Sequence, residues 1–365
     1  MRIVFISNFM NHHQLPFSYA LSRHKDVEYI FVETESLPDE QRSLGYSDFS
    51  GLPFVMPYSR EIQEIIDDAD AVIIGDRPEY VEKRLEHHKL TFRYSERLYK
   101  KGTWRRFRPG AYRFVNDRFL KYRDHPDFKV LCASAYTSYD LSLWNFPGNK
   151  CLKWGYFPDT GVKEYVQKNN NTVRILWAGR MIPYKQPEYC INLSEELKKN
   201  GIEAEIILAG EGPLKKKLEK YSSISCIGAL PFLQVYEEMK NSDIFLFTSN
   251  RSEGWGAVLN ESMQMGCVPV ACRQAGATPY LVKDGVNGYI YENGDIKTFT
   301  EKVIHLIENN KLRAEMSQNA FRTIEKIWNA GSAAERFLML AEDRDAVFED
   351  GPLSSASVMN GGGLL

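Results

Sequence analysis

The feature that most constrains this chain is an alternation, run through twice, of short apolar segments with amphipathic helical ones. In the first half the apolar segments are Arg2–Ser7, Val27–Glu33, Ala69–Gly75, Leu90–Ser95, Val130–Ser134 and Cys151–Tyr156, and helical stretches such as Gln14–His24 intervene. Strands separated by helices build parallel βαβ units. A polar segment, 158–171, closes on Lys168-Asn-Asn-Asn171 and reads as a surface linker. The alternation then restarts with Thr172–Gly179, Glu203–Gly210, Ile224–Gly228, Asp243–Thr248 and Val268–Cys272, with a helix expected over Pro187–Lys199. Each half is therefore a doubly wound α/β unit. Three helical stretches follow, Lys297–Glu308, Leu312–Ile327 and Ser332–Ala341. The boundaries expected are a first domain over 1–160, a second over 161–330, and a helix over 331–347 packing back on the first. A flexible tail is expected over 348–365, where Ser354–Leu365 is small, polar and glycine-rich.

The length of 365 residues accommodates two ordinary domains. A net charge of -2 gives no global argument for a polyanionic partner. None of the six cysteines forms a Cys-x-x-Cys pair, and most sit in apolar runs, so buried free thiols are expected. The chain opens directly on a strand, without a charged leader, and no apolar run approaches the length of a membrane span. The expectation is a cytoplasmic protein, with contact at a membrane surface still open.

In open parallel sheets ligands bind beyond the C-terminal ends of the strands. Four loops are therefore of interest. After Gly179 comes Arg180-Met-Ile-Pro-Tyr-Lys185, two cations at a strand end just before a helix. Fixed positive charge beside free backbone N–H groups suits a diphosphate, with Arg as a planar two-pronged donor and Lys as a point charge. The alternative is a pair of solvated surface cations. After Ala209 the sequence Gly210-Glu211-Gly212-Pro213 permits close backbone approach, a weak signal alone. The most informative stretch runs from Ser249 to Glu261. Glu253 lies in a loop bracketed by Gly254, Trp255 and Gly256, and Glu261 lies within a helix starting near Ala257. Accessible N–H groups there favour an anion, and ionised carboxylates accept from sugar hydroxyls. The residues alone leave open that Glu253 is an ordinary loop acid and Glu261 a surface helix residue.

Taken in order, Gly179-Arg180…Lys185, Gly210-Glu211-Gly212-Pro213, Ser252-Glu253-Gly254-Trp255-Gly256, Glu261-Ser-Met and Gly285-Val-Asn-Gly288-Tyr resemble the retaining GT-B glycosyltransferases of family 4, the group 1 type. Glu253 and Glu261 have that family's seven-residue spacing, and the resemblance covers roughly 173–291. It implies a GT-B fold, two Rossmann-like doubly wound domains facing a central cleft, with the nucleotide-sugar donor on the second and the acceptor on the first. It implies that Arg180 and Lys185 hold the donor diphosphate. Glu253 and the backbone of Gly254–Gly256 would contact sugar and phosphates, Glu261 would accept from ribose hydroxyls, and the Ile227–Leu230 turn would lie near the base. Gly210 and Gly212 complete the donor set. The donor is a substrate, UDP-linked rather than GDP-linked by expectation, and no cofactor is implied. Asp-x-Asp triplets occur only at Asp68–Asp70 and Asp343–Asp345, away from the strand ends of the second domain, so no metal is expected.

The first half departs from the family pattern. The turn after its first strand reads Asn8-Phe-Met-Asn11-His12-His13-Gln14 instead of a glycine-rich loop. His12 and His13 are acceptor-side candidates; the alternative is helix capping by Asn11. No His ends the strand Leu90–Ser95, and Glu96 takes that place. Residues 89–129 are rich in Arg, Lys and aromatics, which suits a peripheral membrane contact, or an amphipathic helix with core aromatics and solvated cations. A nucleic-acid partner is not expected. The leading expectation is transfer of a sugar to a hydroxyl acceptor, a glycan or lipid-linked glycan, in polysaccharide or glycolipid synthesis. The alternatives are a non-catalytic transferase-like partner subunit and a GT-B-like sugar-nucleotide epimerase.

Overall fold

The computed structural model describes residues 1–39, 42 and 47–356. The chain divides into two compact units, one of Met1–Pro158 with the segment from Asn329 onward, the other Asp159–Trp328. Each is built on its own parallel sheet. In the first unit β1 (Arg2–Ser7), β2 (Glu28–Glu33), β3 (Val55–Pro57), β4 (Ala71–Ile74), β5 (Leu90–Ser95), β6 (Phe128–Cys132) and β7 (Cys151–Lys153) stand in the order β3-β2-β1-β4-β5-β6-β7. All six pairings are parallel. Val4, Ile6, Val72 and Ile74 on one face, and Ile3 and Ile73 on the other, have no exposed surface. Helices thus cover both sides of these strands, which is why the sequence reads there as continuous apolar runs.

The second unit carries β8 (Arg174–Ala178), β9 (Glu205–Ala209), β10 (Ile224–Gly228), β11 (Ile244–Phe247), β12 (Val268–Cys272) and β13 (Tyr289–Tyr291) in the order β10-β9-β8-β11-β12-β13. This is the doubly wound order in which the chain leaves the central pair in opposite directions. The switch point falls between β8 and β11. Both strand ends therefore meet where a crevice must open, and the loops after them are the motif-bearing ones.

The helix Ala330–Glu342 packs in the first unit, with the Phe337 ring 5.0 Å from Phe92 and 6.1 Å from Phe17. The flexible tail expected from 348 needs correction over 351–356. The Leu353 amide donates to Lys153 O at 2.7 Å, the Ala356 amide donates to Cys151 O at 2.9 Å, and Ser355 bridges Leu152 in antiparallel sense. Leu353 and Ala356 are buried. The cause is the edge of β7, whose N–H and C=O groups need partners that composition does not reveal. The rest of the expected tail, 357–365, lies outside the described residues. The six cysteines are free, and all but the half-buried Cys226 are buried.

Candidate functional site

The site grows from the two central strand ends of the second unit. Beyond β8 the chain turns at Gly179 and passes through a 3-10 turn at Pro183–Lys185. Beyond β11 it runs through Ser249 and Glu253 into the helix Val258–Gln264. Three hydrogen bonds tie these segments. Trp177 Nε1 donates to Thr248 Oγ1 at 2.8 Å, Thr248 Oγ1 donates to the Lys185 carbonyl at 2.6 Å, and the Asn250 amide donates to the Tyr184 carbonyl at 2.8 Å. Trp177 and Thr248 are buried, so the link is shielded from competing water.

That frame brings Lys185 and Glu253 into contact. Lys185 Nζ donates to Glu253 Oε2 at 2.5 Å, and Ser249 Oγ donates to the same oxygen at 3.0 Å. The two charged side chains keep only 14% and 13% of their exposure, so the pair is poorly screened. Arg180 is exposed, and its Nη2 donates to Tyr184 Oη at 3.3 Å. Lys185 Nζ lies 5.7 Å from the centre of the same Tyr184 ring. Tyr184 thus joins the two cations expected from sequence, although they make no direct contact.

Glu261 lies in the first turn of Val258–Gln264 and is buried. Burial lifts its carboxyl from the ordinary 4.5 to about 7, opposed by the Tyr236 hydroxyl, which donates to Oε1 at 3.3 Å. Burial beside Glu261 also raises the Tyr236 hydroxyl above its ordinary range. Glu253 and Glu261 share the expected spacing but differ in environment. One is held by a cation and a hydroxyl, and the other is buried and accepts from a hydroxyl.

Two glycines show why the loops approach so closely. At Gly210, with φ near +153°, a Cβ would sit 1.8 Å from the Gly179 carbonyl oxygen. At Gly256, with φ +94°, a Cβ would meet Phe247 Cζ at 2.3 Å. Replacing Gly210 by alanine is expected to destabilise the protein by about 1–3 kcal/mol, because the loops after β8 and β9 must separate. Urea denaturation checks this, and an unchanged midpoint would show that the loops part without cost. Gly212, Gly254 and the half-buried Leu230 also lie at strand ends or in the loops that follow. Trp255 presents backbone only. Its side chain is buried, donates from Nε1 to Asn260 Oδ1 at 2.8 Å, and packs against Trp328 and Tyr280.

The acceptor-side candidates lie in the first unit, after β1 and β5. Asn11 Oδ1 accepts from the His13 and Gln14 amides at 3.0 and 3.2 Å, so Asn11 fixes the turn into the helix Leu15–Ser22. The His12 and His13 rings lie tilted at 49° with centres 3.7 Å apart, and His13 lies 5.4 Å from Tyr156. Burial, with the neighbouring His12, pushes His13 down to about 3, and burial lowers His12. Both rings are therefore neutral near pH 7, suited to hydrogen bonds with hydroxyls rather than to charge pairing with phosphate. Glu96 follows β5 and accepts from Tyr156 Oη at 2.9 Å and from Lys100 Nζ.

Sequence reasoning missed Tyr184, Ser249 and Tyr236. Ser249 had a usable signal, its position directly after the Asp243–Thr248 run. Tyr236 had none, because it comes from the separate helix Phe232–Asn241.

Residues 162–323 match the family model of the glycosyl transferases group 1. The matched segment lies within the second unit and spans less than half of the chain. The chain is 28% identical over 208 residues to an uncharacterized glycosyltransferase of Methanocaldococcus jannaschii, covering 55% of this chain and 56% of the relative. It is 26% identical over 165 residues to the poly(ribitol-phosphate) alpha-N-acetylglucosaminyltransferase of Staphylococcus aureus, covering 44% of this chain and 34% of the relative. The chain thus spans about half or less of these curated relatives. The crystal structure of Anabaena HepE in complex with UDP superposes with a TM-score of 0.67 at 13% identity, over 94% of this chain and 100% of that one. At that identity the likeness establishes the fold, two Rossmann-like units as in GT-B proteins. The segment similar to the group 1 model contains the whole of the Lys185–Glu253 arrangement and Glu261. Among the described residues no helix is long and apolar enough to cross a membrane.

Proposed function

We propose that this chain is a retaining, metal-independent glycosyltransferase of the family 4 type. It moves a sugar from a nucleotide-sugar donor to a hydroxyl acceptor in polysaccharide or glycolipid synthesis. The observation that carries the reading is the enclosed Lys185–Glu253 contact at the switch point of β8 and β11, with Arg180 and Tyr184 beside it. Breaking the anomeric C–O bond sends its electron pair to the diphosphate, and a transition state of this kind is lowered by positive charge fixed at the leaving oxygen. Lys185 and Arg180 supply that charge. Glu253 hydrogen-bonds the sugar, and the backbone of Gly254–Gly256, with Gly210 and Gly212, lets the phosphates come close. Glu261 accepts from the ribose hydroxyls, and Leu230 lies near the base. The acceptor hydroxyl attacks from the face the diphosphate leaves and passes its proton to a phosphate oxygen. His12, His13 and Glu96 are the acceptor-side candidates.

A UDP-linked donor is favoured over a GDP-linked one. The UDP bound by Anabaena HepE supports this choice. The name of the Staphylococcus aureus relative, a poly(ribitol-phosphate) transferase, supports a polymeric glycan-type acceptor.

The test is thermal stabilisation by UDP, GDP, ADP and their sugars in the presence of chelator. A ligand that binds only the native state at a hundred times its Kd stabilises by about 2.7 kcal/mol. UDP is expected to raise the melting temperature most, and Glu261→Ala to lose the response. A folded protein that none of these ligands stabilises would sink the donor-site reading. UDP stabilisation without sugar transfer to any acceptor would favour the partner-subunit alternative. Conversion of a UDP-sugar to its epimer would favour the epimerase.

A further inference from the structure

We propose that residues 100–118 of the first unit form a docking surface for an anionic phospholipid bilayer. The proposal does not rest on the donor-site reading. Large apolar side chains exposed on this protein concentrate here: Trp104, Phe107, Tyr112 and Phe114 keep 55%, 76%, 61% and 46% of their exposure. All four fall within eleven residues, in the 3-10 turn Thr103–Phe107 and the helix Ala111–Arg118. Isolated exposed apolar residues are ordinary, but four large aromatics together mark a surface that meets something.

Charge decides what it meets. From Leu98 to Asn116 the chain carries six cations, Lys100, Lys101, Arg105, Arg106, Arg108 and Arg113, and no Asp or Glu, in a protein of net charge -2. Lys100 is paired with Glu96 and Arg113 with Asp117, which leaves the cationic character with Lys101 and the three arginines around Trp104 and Phe107. A second copy of this chain fits poorly, because a two-fold contact would set arginines against arginines. A single-stranded nucleic acid stacks its bases on open ring faces. Here Arg108 lies 4.7 Å over Trp104, Arg106 4.6 Å over Phe107, and Arg118 4.2 Å over Phe114. One face of each of these rings is thus taken by a guanidinium group, which leaves less open ring surface for a base to stack on. Rings so covered enter the headgroup layer while their arginines meet lipid phosphates, the arrangement of amphipathic interfacial segments.

The surface is also firmly rooted. Arg97, just before it, is fully enclosed and donates to Asp140 at 3.2 Å, and the Tyr99 amide donates to the same carboxylate at 3.0 Å. Trp144 Nε1 donates to Tyr99 Oη at 2.6 Å. The patch is therefore presented by an ordered base, which lowers the entropy lost on docking.

The experiment is flotation of the full chain with vesicles of phosphatidylcholine alone and of phosphatidylcholine mixed with phosphatidylglycerol. Binding is expected only to the anionic vesicles and is expected to weaken with salt. Each Lys or Arg at such a surface strengthens binding roughly fivefold. The charge-reversing set Arg105→Glu, Arg106→Glu, Arg108→Glu should thus reduce it more than a hundredfold. The paired variant Trp104→Ser, Phe107→Ser should weaken binding to anionic vesicles while circular dichroism stays unchanged, since both side chains are exposed. Equal binding to neutral vesicles, binding that survives the arginine variants, or no vesicle binding would overturn the proposal. So would tighter, variant-sensitive binding to a single-stranded oligonucleotide, or self-association that these variants abolish.

Discussion

Replacing Lys185 by alanine is expected to lower turnover of a nucleotide-sugar donor by roughly 10²–10³-fold, the usual cost of losing one preorganised charge-stabilising donor. Two features place the effect high in that range. The Lys185 ammonium is largely enclosed, so water replaces its charge poorly at the leaving diphosphate. It is also held in place from behind, because the Lys185 carbonyl accepts from Thr248 Oγ1 and Trp177 Nε1 donates to that hydroxyl. Little reorganisation is then needed when charge develops. Arg180→Ala should cost less, because Arg180 is exposed and its interaction is screened.

The Lys185 variant also strands Glu253, which keeps only the Ser249 hydroxyl among the contacts described here. A purely structural role for Lys185 therefore predicts lost stability with kcat retained in the surviving enzyme. The donor-charge role predicts a kcat loss in the folded enzyme that survives, whatever the stranded carboxylate does to the ligand-free melting point. Pairing Lys185→Ala with Glu253→Gln removes the stranded carboxylate and isolates the charge effect. Full turnover in the Lys185 variant would end the assignment.

What sequence alone made legible follows from how locally each feature is encoded. The Val268–Cys272 strand coincides with its apolar run, since a strand buried on both faces needs no partner information to be recognised. The short edge strands Val55–Pro57 and Tyr289–Tyr291 were not anticipated, as three residues carry no period. In the site, the Glu253–Glu261 spacing is a local signal and was read. The Lys185–Glu253 contact joins residues 68 positions apart, and only the adjacency of β8 and β11 creates it. Trp255 looked like part of a ligand loop because it stands between two glycines. Its side chain belongs instead to a core completed by Trp328 and Tyr280, neither near it in sequence. Partners from distant segments are equally invisible in one dimension, and it is the Lys185 ammonium on Glu253, against the Tyr236 hydroxyl on the buried Glu261, that separates the two glutamates.

That difference gives the second large effect, a pH dependence centred on Glu261. Its carboxyl titrates near 4.5 when unfolded and near 7 in the folded protein, so the native state holds the proton more tightly. Between these values the folded protein binds more protons than the unfolded one, and stability must fall as pH rises from about 4.5 to about 7, then level off. The full penalty is about 3 kcal/mol, since each pKa unit is worth about 1.36 kcal/mol. Glu261→Gln keeps the shape and never ionises. It is expected to be more stable than the parent at pH 8 by up to about 3 kcal/mol, with the difference vanishing near pH 4.5, as urea denaturation at both pH values will show. Donor binding should move in the opposite direction. Only the ionised carboxylate accepts from two ribose hydroxyls, so nucleotide affinity should rise through pH 6–8 and binding near pH 6.5 should release a proton, measurable by calorimetry in buffers of different ionisation enthalpy. Glu261→Gln should abolish both the affinity rise and the proton release. A variant that gains stability at pH 8 yet still binds nucleotide with the parent's pH profile would keep the burial argument and remove Glu261 from the donor site.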